Sequence, residues 1–124
     1  MFVRSKQYTI SNKISCSGIS LHSGMTCCLT LYPAPPDSGI TFYQNIPGRD
    51  QVVIPASYKN VVNSILSTTI GNTAGDSIGT IEHLMAALYG CGVDNVNVEI
   101  DGPEIPIMDG SAAPFVSLLE SAGI

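Results

Sequence analysis

Charged side chains are scarce in this sequence. They make up 12% of its 124 residues, and only five of them are Lys or Arg. The formal net charge of −5 leaves no basic surface for nucleic acid, which we exclude as a partner. Hydrophobic residues make up 44%, which argues against a disordered chain and suggests that something outside the chain covers part of its apolar surface. The length suits one domain with a single core.

Long apolar runs are also missing. No stretch approaches the ~20 apolar residues of a transmembrane helix. The first residues, Met1 to Lys6, lack the apolar core of a signal peptide. The sequence therefore predicts a cytoplasmic protein with no membrane span.

The cysteines include no C-x-x-C pair. They are Cys16, Cys27, Cys28 and Cys91. Because neighbouring side chains of a strand point to opposite faces, the adjacent Cys27 and Cys28 could not bind one metal together. We predict that all four are buried, reduced thiols.

Short alternating segments predict a sheet. The candidate strands are Tyr8–Cys16, Met25–Tyr32, Ile40–Tyr43, Val52–Ile54, Leu66–Ile70 and Val96–Ile100. Residues 17–24 are small and glycine-rich, and they predict a turn, as do residues 33–39 with their three prolines.

Two later segments predict helices with one apolar face each. The first runs over Thr80–Tyr89, with Thr80 as its N-cap and Gly90 just after its end. Its apolar positions follow helical spacing: Ile81, Leu84, Met85 and Leu88. The second runs over Ser111–Ser121, capped by Ser111, with Pro114 in its first turn and Gly123 after it. Its apolar positions are Phe115, Leu118, Leu119 and Ala122.

Together these elements predict an α+β fold. We expect a two-layer sandwich in which two helices lie on one face of a largely antiparallel sheet of about five strands. The first helix is apolar nearly all round, so we also expect Ala86, Ala87 and Tyr89 to form an apolar patch that a second copy of the chain covers.

Glu82 and His83 are the first candidates for chemistry, in the first turn of the first helix. A helix N-terminus favours an ionised carboxylate, which suits a general base. The structural alternative is an ordinary first-turn Glu beside a structural His, and spacing alone favours that alternative. Four residues after His83 comes Ala87, so this helix offers no second ligand, whereas a catalytic zinc needs three.

The sequence has no G-x-S-x-G elbow and no glycine-rich phosphate loop.

Residues 101–111 form a second candidate region, dense in turn formers and acids. Asp109 could support the helix that follows electrostatically, or it could line a site. The residues alone leave both readings open.

Three blocks of the sequence resemble one family. They are Ser17-Gly18-Ile19-Ser20-Leu21-His22-Ser23-Gly24, then Thr80-Ile81-Glu82-His83-Leu84-Met85-Ala86-Ala87-Leu88, and then Asp94-Asn95 followed by residues 104–115, EIPIMDGSAAPF. Their order and spacing resemble the UDP-3-O-acyl-N-acetylglucosamine deacetylases of lipid A synthesis in Gram-negative bacteria, over essentially the whole chain.

The resemblance implies a zinc-dependent hydrolysis of an N-acetyl group on a UDP-linked, acylated amino sugar. It implies two similar domains with the active site between them, of which residues 1–124 match the first. His83 then matches the zinc ligand of that domain, and Glu82 matches the general base. Ile65, Leu66 and Ser67 match a segment that lines the substrate site, and His22 matches a histidine near the metal.

Two departures from the family pattern bear on these expectations. Ser20 stands where the family usually has glycine, which puts the geometry of the His22 loop in question. The second domain, with the other two zinc ligands, is not in the sequence, and Ile124 directly follows the second helix. We therefore expect these 124 residues to be inactive alone. The alternatives are an isolated domain fragment or an interaction module with the same fold.

Overall fold

The structure, a computed structural model, describes residues 6–20, 24–57, 61–63 and 68–124. These residues form eight strands and two helices. The strands are β1 (Ile14–Ile19), β2 (Thr26–Pro33), β3 (Ile40–Gln44), β4 (Val52–Pro55), β5 (Val61–Asn63), β6 (Thr69–Gly71), β7 (Ser77–Ile78) and β8 (Val96–Ile100). The helices are α1 (Glu82–Gly90) and α2 (Ala113–Ala122).

The main sheet has five strands in the order β1-β2-β8-β3-β4. All neighbouring pairs are antiparallel except β3 and β8, which are parallel. The predicted α+β class and the largely antiparallel five-stranded sheet are thus confirmed. A second sheet, β5-β6-β7, was not predicted, although the predicted strand Leu66–Ile70 overlaps β6 at Thr69 and Ile70. Its strands are two or three residues long, too short to show alternation in the sequence.

One face of the main sheet builds the core. Leu31 on β2 and Phe42 on β3 both lie opposite Val98 on β8, and all three are fully buried. Thr30 and Glu99 point to the other face and are only half-buried. The same core cluster contains the buried residues of both helices, so the helices cover a single face of the sheet.

Helix α1 starts later than predicted, at Glu82. Thr80 does not cap it, because its backbone is left-handed (φ +57°) and its hydroxyl bonds to Glu104 instead. Gly90 is the last helical residue, and the left-handed glycine after the helix is Gly92 (φ +73°).

The helix faces largely match their predictions. The buried residues are Leu84, Ala87 and Leu88 of α1, and Phe115, Leu119 and Ala122 of α2. Met85 and Leu118, predicted for the same faces, are half-buried. Neither helix in the described part of the chain is long and apolar enough to cross a membrane.

Helix α2 also begins two residues after its predicted start. Its cap residue is Ala112, without a side-chain bond, and Pro114 lies in the first turn. Ser111 stands just outside, where its hydroxyl accepts a hydrogen bond from the Ala113 amide (3.3 Å). Gly123 follows the helix with φ +80°, as predicted.

The first strand is shifted along the sequence. β1 runs from Ile14 to Ile19, so part of the predicted turn is strand, and the segment around Tyr8 is not. The amide of Tyr8 instead donates to the Asp94 carboxylate (2.8 Å), and the amides of Asp94 and Asn95 donate to the Tyr8 carbonyl. The Asp94-Asn95 motif therefore fastens the start of the described chain to β8.

The cysteines divide by sheet face. Cys27 is buried and Cys28 is exposed, as expected of neighbours on a strand, and all four cysteines are free thiols. The prediction that all four are buried was wrong, because Cys28 lies on the uncovered face, and Cys16 and Cys91 are half-buried. Burial raises the pKa of Cys16 and of Cys27.

Candidate active site

Glu82 and His83 occupy the first turn of α1, and both are half-buried. One oxygen of Glu82, Oε2, accepts a hydrogen bond from the Thr68 amide (2.5 Å). The Ile81 amide in turn donates to the Thr68 carbonyl (3.1 Å). The start of α1 is therefore tied to the backbone just before β6.

The surroundings of Glu82 suit a carboxylate that accepts a proton. Glu82 is the acidic residue in the first turn of α1, where a negative charge interacts favourably with the helix dipole. Its bond to Thr68 fixes the orientation of the carboxylate through one oxygen. Among the contacts of the described residues, the other oxygen accepts no hydrogen bond. That second oxygen is the one that can accept a proton from a bound water.

Asp109 belongs to the same region, on the loop before α2. Its Oδ1 accepts hydrogen bonds from the hydroxyl (2.6 Å) and the amide (2.9 Å) of Ser111, and these bonds lower the pKa of Asp109. The residues alone left two roles open for Asp109, and the structure supports both. Its carboxylate orders the turn before α2, and it also lines a cleft beside β1.

An open cleft of about 660 Å³ borders Asp109. Its mostly apolar lining consists of Ser17, Gly18, Ile19, Ile107, Met108, Asp109 and Pro114. The loop before α2 is held against β1 by a hydrogen bond from the Ile107 amide to the Ile19 carbonyl (3.0 Å). Gly18 is required there, because a Cβ would lie 2.8 Å from the Cβ of Pro106.

Four predicted site residues lie outside the described residues: His22, Ile65, Leu66 and Ser67. Thr68, which follows Ser67 in the chain, contacts Glu82. Ser20 is fully buried, and the positive φ values of described non-glycine residues fall at Asp37, Thr80 and Met108 rather than at Ser20. Serine is therefore accommodated at this position without left-handed strain.

The donor chemistry fits a metal only in part. His83 is partly exposed, and Asp109 offers a carboxylate in the cleft beside β1. Within residues 6–20, 24–57 and 68–124, however, no three side chains of His, Cys, Asp or Glu are grouped to hold a metal ion. The described residues can therefore supply a share of a three-ligand site but not the whole of it.

The candidate site thus combines a five-stranded sheet covered by two helices on one face with a Glu-His pair in the first turn of α1. The family model for UDP-3-O-acyl N-acetylglycosamine deacetylase matches residues 7–124. The chain belongs to this family.

Curated relatives support the assignment. The chain is 58% identical over 119 residues to the UDP-3-O-acyl-N-acetylglucosamine deacetylase of Citrifermentans bemidjiense. The match covers 95% of this chain and 38% of that protein. It is 52% identical over 118 residues to the deacetylase of Anaeromyxobacter dehalogenans and 54% identical over 118 residues to that of Myxococcus xanthus. Both matches cover 95% of this chain and 37% of the relative. The chain thus spans less than two fifths of the length of these relatives.

Proposed function

We propose that this chain supplies Glu82 and His83 to a zinc-dependent deacetylase that removes the N-acetyl group from UDP-3-O-acyl-N-acetylglucosamine in lipid A synthesis. In this proposal residues 1–124 are the first of two domains. One observation carries it: in a chain of the deacetylase family, a half-buried Glu-His pair lies in the first turn of α1, and Thr68 engages one oxygen of Glu82.

Zinc is the metal that the family resemblance implies. His83 would hold it as one ligand, and the other two would come from the second domain. When bound, zinc lowers the pKa of a coordinated water and polarises the acetyl carbonyl. Both effects are needed because an amide is a poor electrophile with a poor leaving group.

The residues of this chain have separate roles in the proposal. Glu82 takes the proton of the attacking water through the oxygen that Thr68 does not engage. Asp109, held by Ser111, provides a fixed negative charge in the cleft beside β1. Ile65, Leu66, Ser67 and His22 contact the substrate, a role that rests on the resemblance.

The compartment belongs to the proposal as well. We place the protein in the cytoplasm because all four cysteines are free thiols, which is the usual state in a reducing compartment.

The 124 residues alone should bind zinc weakly and turn over no substrate. The described residues form no three-ligand group, and a metal site with one or two ligands loses most of its affinity. Stoichiometric zinc that survives dialysis of the isolated chain against a chelator would contradict this expectation.

A chimera tests the complete function. Residues 7–124 would replace the matching region of the Citrifermentans bemidjiense deacetylase, and the product would be assayed for zinc content and for acetate release from UDP-3-O-acyl-N-acetylglucosamine. We expect one zinc per molecule and substantial turnover. A folded chimera that binds no zinc and releases no acetate would refute the proposal.

The role of Glu82 is tested in the same chimera. Glu82→Gln should retain zinc and thermal stability but reduce turnover by ~10²–10⁴-fold, the usual contribution of a general base. Glu99→Gln is the matched control, because Glu99 lies on the sheet face away from the helices and should leave turnover unchanged. Near-native turnover of Glu82→Gln would show that another group is the base.

A further inference from the structure

Thr80 has an unusual backbone for its residue type. It lies two residues before Glu82, and its φ of +57° places it in the left-handed region. Positive φ is a genuine outlier for a β-branched residue, and such strain persists only where the surroundings hold it in place. Something near Thr80 must therefore stabilise this conformation.

The partner of Thr80 is Glu104. The Thr80 hydroxyl donates to Glu104 Oε2 over 2.9 Å, and the two residues are only 2% and 6% exposed. The backbones beside them are joined as well. The Gly79 amide donates to the Pro103 carbonyl (2.9 Å), and the Ile105 amide donates to the Gly79 carbonyl (3.0 Å).

Glu104 is itself held from the other side. Its backbone carbonyl accepts hydrogen bonds from the Ser20 hydroxyl and the Cys27 thiol, each at 3.4 Å. Ser20 and Cys27 are both buried. The Glu104 backbone is thus anchored to β2 and to the residue that follows β1. Its carboxyl group therefore offers the Thr80 hydroxyl a fixed acceptor.

Helix α1 has no local device that sets its start. Its cap residue, Ile81, has helical dihedral angles and no side-chain hydrogen bond to the first turn. The direction in which the chain enters the helix is therefore set by tertiary contacts, namely Thr68 on one side and the Thr80–Glu104 pair on the other.

We propose that Glu104 is a positioning residue: its buried carboxyl group holds Thr80 in the left-handed conformation and thereby orients Glu82 and His83 at the start of α1. This inference rests on the proposed function only where it concerns zinc and turnover. Its structural part, the control of the first turn of α1, stands without it.

The structural part is tested by hydrogen exchange on the 124-residue chain. The Met85 amide, which bonds to the Ile81 carbonyl (2.9 Å), reports on the first turn of α1. The Gly123 amide, bonded to the Leu119 carbonyl, reports on α2. Glu104→Ala should accelerate exchange at Met85 by at least tenfold more than at Gly123. Equal acceleration at both amides would indicate a general loss of stability and would overturn the inference.

The functional part is tested in the active chimera. Glu104→Ala should lower zinc affinity, measured by chelator competition, and turnover by ~10–100-fold, as for other residues that orient metal ligands. Glu104→Gln keeps an oxygen that can accept the Thr80 hydroxyl and should restore most of both. Ile54→Ala, a core truncation in β4, is the control for lowered stability and should leave zinc affinity unchanged.

A glycine rescue separates positioning from other roles. Because glycine adopts positive φ without strain, Thr80→Gly should recover most of the zinc affinity that Glu104→Ala loses. If Glu104→Ala does not fold, Thr80→Val and Thr80→Gly make the comparison, since valine keeps the branched side chain without the hydroxyl. We expect valine to lower zinc affinity at least tenfold more than glycine. Similar values for the two would overturn the inference.

The two proposals can fail separately. An unmutated chimera without zinc or turnover refutes the proposed function, while the exchange comparison still decides on Glu104. An active chimera in which Glu104→Ala changes neither zinc affinity nor turnover refutes the positioning role alone.

Discussion

At the scale of single residues, neighbouring side chains have opposite surroundings. Cys27 is buried beside Ser20 and the Glu104 carbonyl, whereas Cys28 lies on the uncovered face of the sheet. Ser20, where the family usually has glycine, gives its hydroxyl to this buried cluster. The serine therefore adds a polar contact inside the core without distorting the backbone.

This difference between the two thiols predicts their reactivity. Iodoacetamide at pH 7.5 should modify Cys28 much faster than Cys27, because alkylation needs an accessible thiolate and burial raises the pKa of Cys27. Peptide mass spectrometry over time measures both rates, and Cys28→Ser should remove the fast component. Because its pKa is raised, the Cys27 thiol keeps its proton to a higher pH in the folded state. Labelling of Cys27 should therefore increase only in alkaline solution. Equal rates at pH 7.5 would contradict the assigned faces.

At the scale of elements, the sequence pattern misplaced the starts of both helices and the end of α1. Gly90 and Gly92 both follow the apolar face of α1, and a sequence pattern cannot tell which one ends the helix. In the structure Gly90 is helical, and Gly92 takes the left-handed conformation that lets the Val93 amide reach the Leu88 carbonyl (2.9 Å).

The two glycines should respond oppositely to alanine. Gly92→Ala should lower the free energy of unfolding by ~1 kcal/mol, because alanine is strained at positive φ. Gly90→Ala should be neutral or raise it by up to ~1 kcal/mol, because alanine favours the helix and a Cβ at Gly90 meets no atom within 4 Å. Urea denaturation of both variants measures the difference. A larger loss from Gly90→Ala would reverse the assignment.

At the scale of the whole molecule, α1 leaves apolar surface uncovered. Tyr89 is 90% exposed, and Ala86 is exposed beside it, which confirms two members of the predicted patch. Ala87 is buried in the core, so its inclusion was wrong. Helical spacing turns Ala87 inward with Leu84 and Leu88, and it turns Ala86 and Tyr89 outward.

We expect this patch to drive self-association of the isolated chain. An exposed apolar helix face that carries no charged residue after His83 favours a partner, and a second copy is the one always present. Analytical ultracentrifugation at increasing concentration should show a dimer, and Tyr89→Glu should weaken it. Val53→Glu is the control, because Val53 is similarly apolar and exposed (48%) but lies on strand β4. A monomer at high concentration would contradict the expectation.

The sequence by itself determined the class of the fold and the candidate Glu-His pair. Apolar periodicity is a local property, so it predicted most strands of the main sheet, both helices and most of their buried residues, such as Leu84 and Phe115. It missed β5 and β7, which are only three and two residues long. The family motifs, which are also local strings, identified Glu82 and His83.

Only the tertiary structure decided how these residues are held. Thr80 looked like an ordinary cap, but its hydroxyl is taken by Glu104, 24 positions away. Asp109 looked like a loop acid, but the fold places it in a cleft that is also lined by Ser17, Gly18 and Ile19 of β1. Both outcomes depend on contacts between distant segments, where a buried polar group must find a partner. Local preference carries no information about which partner that will be, so the geometry of the candidate site emerged only with the folded chain.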